Sequence, residues 1–159
     1  RGRFGCLIRA RRTSRFGASS ARAVVADLPA AVADTHALLF HASASRALGR
    51  RASAHFEACE RQQALVFVPM AVMWEVSLLA RASRINLRRP VRDFFGDLFS
   101  NPAYHTVDLT PEQVYQADDL RFTRDPFDAL IVSAARTLAL PLLTRDADIR
   151  ASGAVRVIW

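Results

Sequence analysis

Asp34, Glu75, Asp128 and Asp146 each stand inside or at the edge of an apolar run: AAVADTHALLF, VFVPMAVMWEVSLLA, RDPFDALIVSAA and LALPLLTRD. Carboxylates so close to core-forming segments are costly unless something pairs with them. Three of the four fall at expected strand ends or a helix start, and Glu75 falls within an apolar helix. In an open parallel sheet the carboxyl ends of the strands form the crevice where ligands bind. Four acids converging there would make a site for a divalent metal ion.

Other chemistries find no support in the residue types. The histidines (His36, His41, His55 and His105) show neither HExxH nor a Cys/His zinc spacing, and there is no G-x-S-x-G, P-loop or G-x-G-x-x-G. Asp27 in AVVADL is a rival strand-end acid, but it lacks the Thr-His that follows Asp34. Asp125 precedes Pro126 and reads as a helix N-cap, with Asp128 at the third helical position. Asp148 reads as the cap of a short helix, and Thr144 as a hydrogen-bonding neighbour of the acids. His36, two residues after Asp34, is more simply a core or surface residue. Of the arginines, Arg124 and Arg145 flank the acids and are the candidates for phosphate contact.

The elements that must position these residues alternate from position 30 onward. AAVAD reads as a strand ending at Asp34, and residues 45–62 as a helix with an apolar stripe of Leu48, Ala52, Phe56 and Cys59. ALVFVP is a buried strand, and Pro69 opens the helix AVMWEVSLLARAS. A weaker helix, VRDFFGDLF, leads to the strand YHTVDL. Thr110-Pro111-Glu112-Gln113 is a capping box that starts the next helix. Asp125-Pro126 starts another, followed by the strand PLLT, the short helix ADIRAS and a closing strand VRVIW. Such alternation implies an α/β domain with a parallel sheet covered by right-handed crossovers.

At 159 residues the chain is one domain, large enough to need no staple. No apolar run approaches the roughly 20 residues of a membrane span. Cys6 and Cys59 form no framework and read as free thiols of a reducing compartment, so a cytoplasmic location is expected. The net charge of +7 belongs to one end: residues 1–26 carry seven arginines and no acid, while the other fifteen arginines match the fifteen acids. Residues 1–29, which begin with Arg rather than Met, read as a disordered basic extension without a function of its own, with a basic arm for nucleic acid or a targeting segment as the alternatives. Residues 30–159 are the domain.

DTHALLF, WEVSLLARASRI, RDPFDALIVSAA, LLTRD and a final VRVIW, in this order, resemble the PIN-domain ribonuclease toxins of the VapC type, over residues 31–159. The resemblance implies a PIN-like three-layer α/β fold, a central parallel sheet flanked by helices. It matches Asp34, Glu75, Asp128 and Asp146 to the family's four acids, which are at once catalytic and metal-binding. Two positions depart from the pattern: Leu79 stands where many relatives are basic, and Ser83 where they often carry Gly. Two carboxylates about 4 Å apart repel by about 4 kcal/mol at an effective dielectric near 20. Four therefore call for a cation, and Mg²⁺ or Mn²⁺ suits an all-oxygen site.

The expected activity is metal-dependent hydrolysis of RNA phosphodiester bonds, leaving a 5′-phosphate and a 3′-hydroxyl. The expected partners are a VapB-type antitoxin and a second copy in a homodimer. A PIN fold that has lost catalysis and serves as a binding module is the alternative. Phosphate-handling receiver or dehalogenase-like domains also cluster acids at strand ends, but they rely on a lysine and this chain has none.

Overall fold

The computed structural model describes residues 28–159. Their elements run β1 (Ala30–Ala33), α1 (Thr35–Ala42), α2 (Arg50–Glu60), β2 (Leu65–Pro69), α3 (Met70–Arg81), α4 (Val91–Ser100), β3 (Tyr104–Val107), α5 (Pro111–Asp118), α6 (Pro126–Thr137), β4 (Leu142–Leu143), α7 (Ala147–Ser152) and β5 (Val157–Ile158). The strands form one sheet in the order β3-β2-β1-β4-β5. Every pairing is parallel, with Val32 opposite both Phe67 and Leu142. The expected α/β architecture is therefore the observed one. The expected disorder of the basic extension and the rival Asp27 lie outside the described residues, apart from positions 28 and 29.

Strand order carries the functional consequence. The chain steps outward from β1 through β2 to β3, then returns to lay β4 against the other side of β1. The gap between the carboxyl ends of β1 and β4 is thus a topological switch point, where open α/β sheets bind ligands. Because all strands are parallel, Asp34, Val107, Thr144 and Trp159 all emerge at that same edge.

Apolar strands and helix stripes close the core. Val32, Leu38, Phe56, Val66, Val68, Val72, Val76, Ile131, Leu142 and Leu143 are essentially sealed from solvent. Each such side chain contributes about 1.5–3 kcal/mol relative to exposure. Ala52, Phe56 and Cys59 bury the expected stripe of α2, with Leu48 partly buried just before it. Burial of the free Cys59 pushes its thiol up to about 12, so it stays protonated and inert.

Strands and helices are mostly a residue or two shorter than the sequence reading, and two helices depart from it further. The helix expected over 45–62 spans only Arg50–Glu60. Gly49 takes the N-cap position, and the chain turns left-handed at Gln62 (φ 57°). Helix α1 was not expected at all. Its segment THALLFHA is apolar on nearly every side, so it shows no stripe to read.

Candidate active site

The four acids reach the switch point from four elements. Asp34 is the first residue beyond β1 and occupies the N-cap position of α1, yet its side chain makes no capping bond. Its main-chain N–H donates to the carbonyl of Leu143 on β4 (3.1 Å), and its Oδ2 accepts from the buried hydroxyl of Thr144 (2.7 Å). Asp34 is only 5% exposed. Burial raises its pKa despite the Thr144 bond, and the nearby Asp146 charge adds to the rise.

Glu75, on α3, accepts from Thr35 Oγ1 through Oε2 at 2.5 Å. Its pKa is raised by burial first, with the Thr35 bond opposing and the charges of Asp34 and Asp125 adding to the rise. Asp128, at the third position of α6, accepts from Thr123 Oγ1 through Oδ2 (3.2 Å). Its carboxyl is pushed up to about 6 by burial, then by the charge of Asp125, and to a smaller degree by Asp34 and Asp146. Asp146 follows β4 and caps α7, its Oδ1 accepting from the Ile149 N–H (2.8 Å).

One device recurs. Thr123-Arg124-Asp125 and Thr144-Arg145-Asp146 are the same tripeptide, and in each the threonine Oγ1 accepts from the aspartate N–H at 3.0 Å. In each the hydroxyl proton then points to another acid, Asp128 or Asp34. The turn therefore fixes a helix-capping aspartate and braces a second carboxylate with one side chain.

Each of the four acids has one oxygen engaged; Glu75, Asp128 and Asp146 keep a second with no hydrogen-bond partner among the described residues, while Asp34 also accepts from the Thr35 main-chain N–H. No unpaired polar side-chain atom there is sealed from solvent, so the free oxygens remain accessible. This is the donor chemistry a hard divalent cation takes. As placed here, however, no three carboxylate, imidazole or thiolate groups among the described residues stand close enough to enclose one ion. The acids share a field; they do not form a closed cage.

A family profile described as the PIN domain matches residues 31–154. The chain belongs to the PIN-domain family. Membership implies a nuclease. No curated protein sequence matches the chain. Among solved structures, this PIN domain is similar to the Mycobacterium tuberculosis VapC20, a sarcin-ricin loop cleaving toxin (19% identity, 80% of this chain and 98% of the other, TM-score 0.58). It is also similar to a chain of VapBC2 from Rickettsia felis bound to promoter DNA (12% identity, 80% and 96%, TM-score 0.58). A third is FitAcB from Neisseria gonorrhoeae (14%, 79% and 94%, TM-score 0.54). At such identities the likeness is one of fold, and it is the fold that the VapC resemblance implied.

Several residues are placed differently from their sequence reading, or were absent from it. Asp146, not Asp148, caps α7; Asp148 lies one turn position inside the helix. Asp125 caps α6 as expected, accepting from the Phe127 N–H (2.8 Å). Its charge also acts on Asp128 and Glu75, which puts it at the rim of the acid cluster. His36 is exposed, and its charge opposes the upward shift of Asp34. Thr35 and Thr123 were missed. The repeated Thr-Arg-Asp and the Thr directly after Asp34 were the signals that could have found them.

Proposed function

We propose that this PIN domain is a metal-dependent endoribonuclease toxin of the VapC type, hydrolysing RNA phosphodiester bonds and neutralised by a VapB-type antitoxin. The observation that carries the reading is the set of four acids at the switch point, each braced by a hydrogen bond from the chain. Asp34, Glu75, Asp128 and Asp146 are the residues that would hold Mg²⁺ or Mn²⁺. Such an ion polarises a phosphoryl oxygen and acidifies a bound water.

The chain's own contribution is preorganisation. Thr144, Thr35 and Thr123 hold three carboxylates in place, and the helix α7 N–H of Ile149 holds the fourth. The exposed Arg124 and Arg145 flank the acids and suit the phosphates on either side of the reacting one. The sarcin-ricin loop cleavage by VapC20 supports RNA as the substrate class.

The antitoxin reading is supported by a similar solved structure, a toxin–antitoxin complex from Klebsiella pneumoniae (20% identity, 79% of this chain and 94% of the other, TM-score 0.52), and by a surface feature. Met70, Met73, Trp74, Phe95 and Phe99 line an apolar groove of about 450 Å³ between α3 and α4. Trp74 is 55% exposed in this groove, leaving apolar surface for a partner to cover. Among the described residues no helix is long and apolar enough to cross a membrane.

Digestion of a mixed RNA pool, with both ends of each cut mapped, tests the reading. It predicts 5′-phosphate and 3′-hydroxyl ends in Mn²⁺ and no cleavage with chelator. Binding of RNA without cleavage under any divalent ion would instead favour the inactive binding module.

A further inference from the structure

Alongside β5, a second polar cavity of about 410 Å³ is lined by Arg51, Arg150, Val155, Val157 and Trp159. Its volume lies within the range of small-molecule sites and has room for one nucleotide. The two arginines come from different helices, and neither is in an ion pair among the described residues. Arg51 is the second residue of α2, whose first turn carries two arginines and no acid. A helix N-terminus already favours negative charge, and two guanidiniums there deepen the preference for an anion.

Trp159 supplies a flat apolar wall. Its close seating is possible because position 49 is glycine: a Cβ there would lie 2.6 Å from the Trp159 backbone and ring. An indole beside two free guanidiniums matches a base and its phosphate.

Aromatic contacts link this cavity to the acids. His36, two residues beyond Asp34, lies 6.2 Å from Phe40 between ring centroids, and Phe40 lies 6.3 Å edge-on from Trp159. Arg145, next to Asp146, stacks 4.8 Å above Phe40. On α7, Arg150 stands four residues beyond Asp146, about 6 Å of helix rise.

We propose that the Arg51–Arg150–Trp159 cavity is a subsite for a nucleotide of single-stranded RNA flanking the bond cut at the acids. The guanidiniums take its phosphate and Trp159 stacks its base, with Arg145 and Phe40 along the strand between. This subsite rests on the nuclease reading for its purpose but not for its binding.

The test is fluorescence anisotropy of a labelled single-stranded RNA of about twelve nucleotides, titrated with the full chain in chelator so that nothing is cut. Wild type is compared with Arg51→Gln/Arg150→Gln, Trp159→Ala and Trp159→Phe, each checked for fold by circular dichroism. The arginine pair should weaken binding about tenfold or more, and should lower the slope of log affinity against log salt by about 0.7 for each phosphate no longer neutralised. Trp159→Ala should weaken binding at least about fivefold, and Trp159→Phe should recover most of it. If Trp159→Ala does not fold, the exposed arginine pair and Trp159→Phe decide alone.

Unchanged affinity and slope in the arginine pair overturn the subsite. So does loss of binding to an acidic peptide with RNA binding intact, which would mark the cavity as a protein-docking face. Wild-type cleavage of the same RNA in Mn²⁺ is scored separately. Binding lost in the variants while wild type never cuts would sink the nuclease reading and leave the RNA subsite standing.

Discussion

Thr144 holds the site's geometry at a single hydroxyl. It donates to the buried Asp34 and accepts from the Asp146 N–H, so one side chain positions acids from both sides of the switch point. Thr144→Val keeps the shape but strands both partners. Leaving such groups unsatisfied costs about 1–3 kcal/mol. Denaturant melts should show that loss, and RNA cleavage should fall at least about tenfold because Asp34 is no longer aimed; an unaltered cleavage rate would mean the hydroxyl does not set the site.

Asp128 tests the electrostatics in the opposite direction. Its folded pKa is raised from 3.8 to about 6, so its contribution to stability is present below 3.8 and lost as pH rises through about 6. Above that range the ionised carboxylate is a liability to the fold. Asp128→Asn should therefore melt at higher denaturant than wild type at pH 8, while the two differ less near pH 5. For wild type, Mn²⁺ at roughly 100 times its dissociation constant should add about 2.7 kcal/mol at pH 8. A wild type whose midpoint ignores both pH and Mn²⁺ would show that the acids neither crowd nor bind. The acids themselves were legible in the sequence because a carboxylate beside an apolar run stands out. Of their threonine partners, Thr144 was legible beside Asp146, but Thr35 was not, because it pairs with Glu75 across forty positions.

At the scale of elements, helix ends show where local sequence rules hold and where they fail. The capping box at Thr110 and Gln113 forms as its residue pattern requires, with Pro111 in the first turn. Ser83 is the opposite case. It follows α3 with φ 55°, and the N–H of Arg84 reaches back to the Leu79 carbonyl (2.9 Å). This is a Schellman ending in a position that glycine fills best. Ala44, Gln62 and Ala139 take the same left-handed turn after α1, α2 and α6. No glycine marks these ends, which is why the residue pattern alone extends α2 past its observed limits and hides α1. Ser83→Gly should relieve about 1 kcal/mol of backbone strain, raising Tm by roughly 2–4 °C with cleavage unaffected. A lower Tm would mean the serine side chain supports the turn in some way the backbone does not show.

At the scale of the whole molecule, parallel strands and one reversal of strand order bring distant residues to a common edge. That convergence was legible in the sequence as an alternation of strands and helices, but the order β3-β2-β1-β4-β5 was not. Nothing local in LLT says that it pairs with β1 rather than with β3. The net charge is likewise a property of one end, and residues 27–159 are formally balanced. Deleting residues 1–27 should leave metal-dependent cleavage within a few-fold of the full chain, since every acid and strand described lies beyond them. A loss of more than that, with a flatter salt dependence of RNA affinity, would make the arginines part of the substrate path.

On the proposed function, the braced acids at the switch point cut RNA with a divalent ion. Cleavage of one defined RNA by wild type, Asp34→Asn, Asp128→Asn and Asp125→Asn, all shown to be folded, tests it most directly in Mn²⁺ and in chelator. Asp125 mainly caps α6, and asparagine caps as well, so that variant should retain measurable activity. Asp34→Asn and Asp128→Asn should abolish cleavage, and chelator should abolish it in wild type. Full activity in Asp34→Asn or Asp128→Asn, or cleavage that persists in chelator, would show that these acids and a divalent ion do not carry the reaction.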